Sequence, residues 1–297
     1  DFLKENYPTP VYVFDIKSPL LSPLNSETSR KIGEKGRKSA KSIDLVVTRS
    51  RGDVFTWIPQ CVKPALVYPL GVRLSDYSPR FPERGFSRCT RFVYSGAIAP
   101  LRKLDTLLEY IAALPQDIKE DCTFDFFGSG PAEESFIRTL HNLDLKKIVT
   151  FKGCVDTEKL PGILTGYDAG IAWVPRSLYD NAPSLKMVEY IAAGLLPIAT
   201  NTTAHKRYAA QGFTVKYFSE TPNSFANTIA DCLEQGFSSA GREKNLEKVK
   251  AFDWDNVVQD HIFPAFREAI IGKQQTSINL PARASFMSKK SRFKNLS

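Results

Sequence analysis

Histidine is scarce in this chain and cysteine is scattered, and both facts remove chemistry. The three histidines, His141, His205 and His261, stand far apart and do not suggest a metal centre. Cys61, Cys89, Cys122, Cys154 and Cys232 form no C-x-x-C pair and are odd in number, which argues against a zinc site and a disulfide framework. Most of them read as small apolar core residues in a reducing, cytoplasmic setting. No apolar run approaches the ~20 residues that cross a bilayer as a helix. The most apolar stretch, Ile191 to Ala199, is broken by Gly194 and Pro197. There is no internal repeat, and no signal-peptide pattern follows Asp1, so the sequence reads as a fragment.

What is present is an ordinary globular composition, 42% apolar and 24% charged over 297 residues, a length that fits about two domains. The formal net charge of +8 is unevenly placed. Arg30, Lys31, Lys35, Arg37, Lys38 and Lys41 crowd one early segment, and Lys273, Arg283, Lys289, Lys290, Arg292 and Lys294 occupy an acid-free end. In a helix, Arg30, Arg37 and Lys41 share a face. That face is either solvated or a docking surface for an anionic membrane, which would place the protein peripherally at the inner face of a membrane.

Short runs rich in Val, Ile, Phe and Tyr give nine candidate strands: 11–15, 43–48, 65–68, 92–95, 123–127, 149–152, 170–173, 197–200 and 214–217. Amphipathic stretches lie between them. After Pro183, Leu185, Val188, Ile191, Ala192 and Leu195 form one apolar helix face. Strand–helix alternation of this length means βαβ units and parallel sheets. Residues 71–90 lack periodicity and read as an interdomain linker. The expected organisation is a partial N-terminal Rossmann-like domain with its linker over 1–87 and a ligand-binding Rossmann-like domain over 88–252. A helix over 253–271, interrupted at Pro264, returns toward the first domain, and a basic, disordered tail covers 272–297.

Open parallel sheets bind ligands beyond the carboxyl ends of their strands. In the second domain those ends lead into Gly96 and Arg102-Lys103, then Gly128-Ser129-Gly130-Pro131, then Gly153-Cys154-Val155, then Asn181-Ala182-Pro183-Ser184. Each feeds a helix N-terminus, whose unpaired N–H groups suit a diphosphate. Taken singly, each has a plainer reading. Pro131 can merely open a helix, Asn181 can be an N-cap, and Lys103 can be a solvated side chain.

The ordered set carries more. Tyr94-Ser-Gly96, Arg102-Lys103, Phe126-Phe-Gly-Ser-Gly-Pro131, Val149-x-Phe-x-Gly-x-Val155, Tyr167-Asp-Ala-Gly170 and Ala182-Pro-Ser-Leu-Lys-Met-Val-Glu-Tyr-Ile-Ala-Ala-Gly194 resemble the donor-binding domain of family 4 glycosyltransferases, retaining enzymes of the GT-B architecture. The resemblance covers about residues 90–252, and residues 43–79 are similar to the end of that family's N-terminal domain. It implies an α/β fold of two facing Rossmann-like domains, the first apparently truncated. It implies a nucleoside-diphosphate sugar as donor, a glycan or lipid-linked acceptor, no cofactor, no metal and no nucleic acid.

The resemblance also assigns roles. Glu189 would hold the ribose hydroxyls, and Lys103 and Arg102 would neutralise the diphosphate, with the N–H groups of Ser184 and Leu185. Cys154 and Val155 would hold the base by backbone contacts. Gly96, Gly128, Ser129, Gly130, Ala182 and Pro183 would complete the donor site. The chain departs from the family at Asn181, where an acid is usual, and at Ala97, where a base is usual. The rival readings are a nucleotide-sugar-binding module without transfer activity and another nucleotide-sugar enzyme of the same fold, such as an epimerase.

Overall fold

The computed structural model describes residues 10–17, 26–49, 54, 57, 58, 64–79, 89–235 and 238–278. Among them, two all-parallel sheets account for all nine candidate strands. The first sheet holds β1 (Val13–Ile16), β2 (Leu45–Thr48) and β3 (Ala65–Val67) in that order, with helix α1 (Ser26–Ala40) between β1 and β2. Two of the α1 cations are answered within the helix, Arg30 by Glu34 and Lys31 by Glu27, each at 2.6 Å.

The second sheet holds β4 (Thr90–Ser95), β5 (Cys122–Phe127), β6 (Val149–Gly153), β7 (Ala169–Ala172), β8 (Leu196–Thr200) and β9 (Lys216–Phe218). Its order is β6-β5-β4-β7-β8-β9. The helices around it are α2 (Leu104–Ala112), α3 (Gln116–Glu120), α4 (Glu133–Asn142), α5 (Leu160–Leu164), α6 (Arg176–Tyr179), α7 (Leu185–Ala192), α8 (Thr203–Ala210), α9 (Pro222–Gln235) and α10 (Ser239–Val249).

Alternation along the strands fills two cores. Phe92, Tyr94, Phe124 and Phe126 point to one face, where Phe92 and Phe124 stack with centroids 4.9 Å apart. Val93 and Ala172 point to the other, against Met187, Val188 and Ile191 of α7. Each large side chain so buried contributes roughly 1.5–3 kcal/mol. The strands next to the site are therefore the least free to move.

Strand β9 begins at Lys216, later than the expected start at Thr214. The Thr214 backbone is already committed: its N–H donates to Asn245 Oδ1 at 2.7 Å and its carbonyl accepts from Asn245 Nδ2 at 2.9 Å.

The chain crosses between the sheets twice, and the crossings are pinned side by side. Val72 N–H donates to the Phe252 carbonyl at 2.9 Å, and Trp254 N–H donates to the Val72 carbonyl at 3.0 Å. Asp253 accepts from Leu74 N–H and from Asp255 N–H, so the Asp253-Trp254-Asp255 triplet serves as a helix cap and strap. From there α11 (Trp254–Val257), a π turn (Val258–Ile262) and α12 (Phe263–Ile278) make one helical run. Val257, Ile262, Phe266 and Ala269 of this run pack on Leu45, Val47 and Tyr68 of the first sheet. Two sequence expectations change here. Pro264 does not interrupt the run, because the π turn ends just before it and leaves Pro264 in the first turn of α12, where a missing N–H costs nothing. The helix also continues past Ile271 to Ile278, into residues read as tail. Residues 279–297 lie outside the described ones, as does the 80–88 stretch of the linker.

Candidate active site

Strands β4 and β7 are neighbours, yet the sheet grows from them in opposite directions, to β5 and β6 on one side and to β8 and β9 on the other. Such a switch point opens a crevice at the carboxyl ends of the two strands. The loop after β4 carries Gly96 and Arg102, and the connection after β7 leads into α7 with Ser184, Lys186 and Glu189.

Helix α7 is fixed on the sheet through Tyr190. Its ring lies directly over Gly170 of β7, where an added Cβ would stand 2.2 Å from a ring carbon. Its hydroxyl accepts from Ser95 N–H at 2.9 Å and lies 3.3 Å from Ser95 Oγ. With Tyr190 held, Lys186 and Glu189, one helical turn apart, face the crevice together. The Lys186 ammonium sits 5.0 Å from the centroid of the Tyr94 ring. It also occupies the space beside Gly96: a Cβ there would meet Lys186 Cε at 2.7 Å and Nζ at 2.9 Å, at a backbone φ of +147°. Gly96 is therefore the residue type that lets the lysine in.

The crevice is a cavity of about 490 Å³, and the charged residues among the described ones that line it are Arg49, Arg102 and Lys186 against one carboxylate, Glu189. Burial, with the Arg102 charge added, pulls the Lys186 ammonium down to about 7, and Glu189 opposes this. Burial pushes the Glu189 carboxyl up, against the pull of Lys186. Helix α7 contributes its N-terminus. Ser184 is the N-cap and makes no side-chain cap bond; Met187 N–H donates to the Ser184 carbonyl at 3.2 Å, which leaves the Leu185 and Lys186 N–H groups without helical acceptors. The Arg102 guanidinium rests over the Tyr179 ring, 4.4 Å from its centroid. Arg49, Arg102, Lys186 and the helix N-terminus thus set positive charge around the Glu189 carboxylate, an arrangement whose charge is complementary to an anion.

Of the residues singled out in the sequence, Gly96, Arg102, Ala182, Pro183, Ser184, Leu185 and Glu189 line this cavity. Lys103 does not. It adopts a left-handed conformation, φ +47°, as the chain enters α2, and lines a separate depression with Pro131 and Ser135. Arg102 takes the place expected for it.

Gly128, Ser129 and Gly130 are also outside the lining, because they hold loops to each other. A Cβ on Gly128 would stand 1.9 Å from the Gly96 carbonyl oxygen, and one on Gly130 would stand 2.4 Å from that of Ile98. The N–H of Gly96 donates to Phe127 O, that of Gly128 to Gly153 O and that of Ile98 to Ser129 O. Those N–H groups are spent on the scaffold. Cys154 is exposed and Val155 packs into the core, while Thr157 and Leu160, further along the same loop, reach the cavity. Lys186 and Arg49 were missed. Lys186 had a legible signal, three positions before Glu189 and so on the same helix face, but it lay inside an otherwise apolar stretch.

Residues 82–249, more than half of the chain, match the family model described as glycosyl transferases group 1. The chain belongs to this family. The comparison with curated proteins gives no match. Among solved structures, the pneumococcal O-GlcNAc transferase GtfA, in complex with UDP and GlcNAc, is 14% identical at a TM-score of 0.66, covering 92% of this chain and 54% of that one. HepE of Anabaena, in complex with UDP and glucose, is 16% identical at 0.63, covering 92% and 72%. Sucrose-phosphate synthase of Thermosynechococcus elongatus is 18% identical at 0.65, covering 89% and 68%. The chain thus spans about half the length of the first of these. At such identities the likeness is one of fold, and the fold is GT-B.

In this member of the family the acid missing at position 181 is not replaced by its neighbour. Asn181 is exposed and stands outside the cavity lining. Asp180 accepts from Arg176 Nε at 2.8 Å, from Thr203 N–H at 3.0 Å and from Thr203 Oγ1 at 2.8 Å. Those bonds hold its carboxyl below the ordinary range despite some burial. Asp180 is thus a strap between α6 and α8.

Proposed function

We propose that the chain transfers a sugar from a nucleoside-diphosphate sugar to a glycan or lipid-linked acceptor, with the anomeric configuration kept. The observation that carries the reading is the cavity at the β4–β7 switch point, where Arg102, Lys186 and the α7 N-terminus surround the half-buried carboxylate of Glu189. As the bond from the anomeric carbon to the β-phosphate oxygen breaks, negative charge grows on the phosphate. The two cations and the α7 N–H groups stabilise it where water is scarce. The acceptor oxygen bonds to the anomeric carbon on the face the diphosphate leaves, and the acceptor proton passes to a phosphate oxygen. Positive side chains do the work a divalent cation would do elsewhere, so turnover needs no metal. Glu189 accepts hydrogen bonds from the two ribose hydroxyls, which a carboxylate matches with its two oxygens.

A thermal-shift screen of nucleoside diphosphates and their sugars, with and without EDTA, tests the donor class, since a ligand that binds only the folded state raises its melting temperature. Glu189→Ala should weaken the selected diphosphate by about 1.5–3 kcal/mol. Calorimetry giving an unchanged affinity with an intact fold rejects the ribose role. A second reading, a nucleotide-sugar-binding module without turnover, is favoured by the exposed Asn181 and the committed Asp180. Donor binding with neither transfer nor donor hydrolysis selects it.

The acceptor side includes α1, where Lys35, Arg37 and Lys38 form no ion pair with the described residues. We propose that the α1 face of Arg30, Arg37 and Lys41, with the neighbouring stripe of Lys31, Lys35 and Lys38, rests on an anionic membrane surface. Cosedimentation with anionic but not neutral vesicles at low salt, by a protein cut after Gly272, is the expected result. Equal behaviour with both vesicle types removes the membrane from the reading.

A further inference from the structure

The cleft does not end at the donor cavity. Arg49, Leu70 and Pro183 line it and also line a second cavity of about 400 Å³, bounded by the end of β3, helix α8 and the C-terminal helical run. The walls of this second chamber are aromatic: Tyr68, Tyr208 and Phe252. Beside the tyrosines, the charged and titratable groups that line it are Arg49, Arg207 and His261, and none of the described residues lining it is a carboxylate.

Neither arginine has an ion-pair partner among the described residues. Arg49 directly follows β2, the central strand of its sheet. Its guanidinium stands 5.8 Å from the centroid of the Tyr68 ring, and its Nε is buried without an acceptor. The Arg207 guanidinium forms no hydrogen bond or ion pair among the described residues. A half-buried guanidinium with an unsatisfied N–H is costly unless something supplies the oxygens. No described residue supplies one to Arg49 Nε, and a bound oxyanion would.

We propose that this chamber holds the acceptor, and that the acceptor carries a phosphate group on an apolar or ring-shaped body. The inference rests on the donor reading given above. One arginine satisfies a planar carboxylate through a paired contact. Two arginines from different elements, Arg49 after β2 and Arg207 on α8, with His261 in the same lining, suit an oxyanion that presents oxygens in several directions, as a phosphate does. The aromatic walls take the body attached to it. Pro183 joins the chambers at the residue before Ser184, so a hydroxyl on that body reaches the anomeric carbon while its phosphate stays beyond Arg49. Arg49, common to both chambers, touches both substrates.

Calorimetry with phenyl phosphate as the probe tests this on the whole chain. The wild type should bind it, and should not bind phenol. Arg207→Gln, at an exposed position, should keep its melting temperature and lose about tenfold in phenyl phosphate affinity, as expected for a charge-assisted pair. Lys186→Met, which alters only the donor chamber, should change that affinity less than about twofold. Absence of binding overturns the proposal. So does a binding that Lys186→Met abolishes and Arg207→Gln leaves alone, since the phosphate then sits in the donor chamber. Failure of the donor reading shows separately, as nucleoside-diphosphate affinity indifferent to both Lys186→Met and Glu189→Ala. Hexyl phosphate and glucose 1-phosphate then divide a lipid from a sugar body: the tighter, Arg207-dependent binder identifies it.

Discussion

Lys186→Met should lower the affinity for a nucleoside diphosphate by about a hundredfold, close to 3 kcal/mol, the upper range for a hydrogen bond to a charged group. Methionine keeps the length and the packing of the stem, so the loss measures the charge. The effect is large because the ammonium is buried between Tyr94, Gly96 and Glu189, where water screens little. It should also depend on pH. Without ligand, Lys186 titrates near 7, far below its ordinary value, because burial disfavours its charged form. A diphosphate favours the charged form, so binding near pH 8 takes up a proton, and affinity falls as pH rises above 7. Calorimetry at pH 8 in two buffers of different ionisation enthalpy should show that uptake in the wild type and not in Lys186→Met. Folding follows the same linkage. Between about 7 and the ordinary lysine range the unfolded chain holds the proton that the folded chain has lost. The contribution of Lys186 to stability therefore rises with pH across that window. A wild type and a variant with equal affinities and equal proton uptake would remove Lys186 from the site.

The scaffold was legible where the physics is local. Alternating runs such as Phe92-Val-Tyr94 and Thr123-Phe-Asp-Phe-Phe127 are strands buried on both faces, and the strand–helix rhythm allows little besides parallel sheets. The site was legible to the loop and not to the side chain. Arg102 and Lys103 are adjacent and chemically alike, and which one enters the cleft is decided by a left-handed turn at Lys103 that no local pattern marks. Gly128 and Gly130 look like phosphate-cradling glycines. Their real constraint, carbonyl oxygens of a neighbouring loop under 2.5 Å from any added Cβ, exists only once β4 and β5 lie side by side. Arg49 is one cation among many in the sequence, and only the approach of the two sheets gives it a cavity on either side.

Gly170→Ala should cost about 2–3 kcal/mol of folding stability, the range for forcing a methyl into a filled core, and should weaken donor binding although residue 170 lines no part of the cavity. The new methyl would stand 2.2 Å from one carbon of the Tyr190 ring and 2.3 Å from another. The ring is fully buried and its hydroxyl is held at Ser95, so it has nowhere to turn. Relief requires α7 to lift from the sheet, which carries Lys186 and Glu189 away from Gly96 and Arg102 together. The mechanism is specific enough for a double-mutant cycle. Tyr190→Ala alone should destabilise by about 3–5 kcal/mol through the cavity it leaves. Gly170→Ala added to it fills part of that cavity and should then cost almost nothing. The coupling between the two sites should thus reach about 2 kcal/mol, well above the ~0.5 kcal/mol scatter of independent positions. Urea unfolding of the four proteins gives the cycle. Simple additivity would mean that β7 and α7 are not in the contact that positions the site.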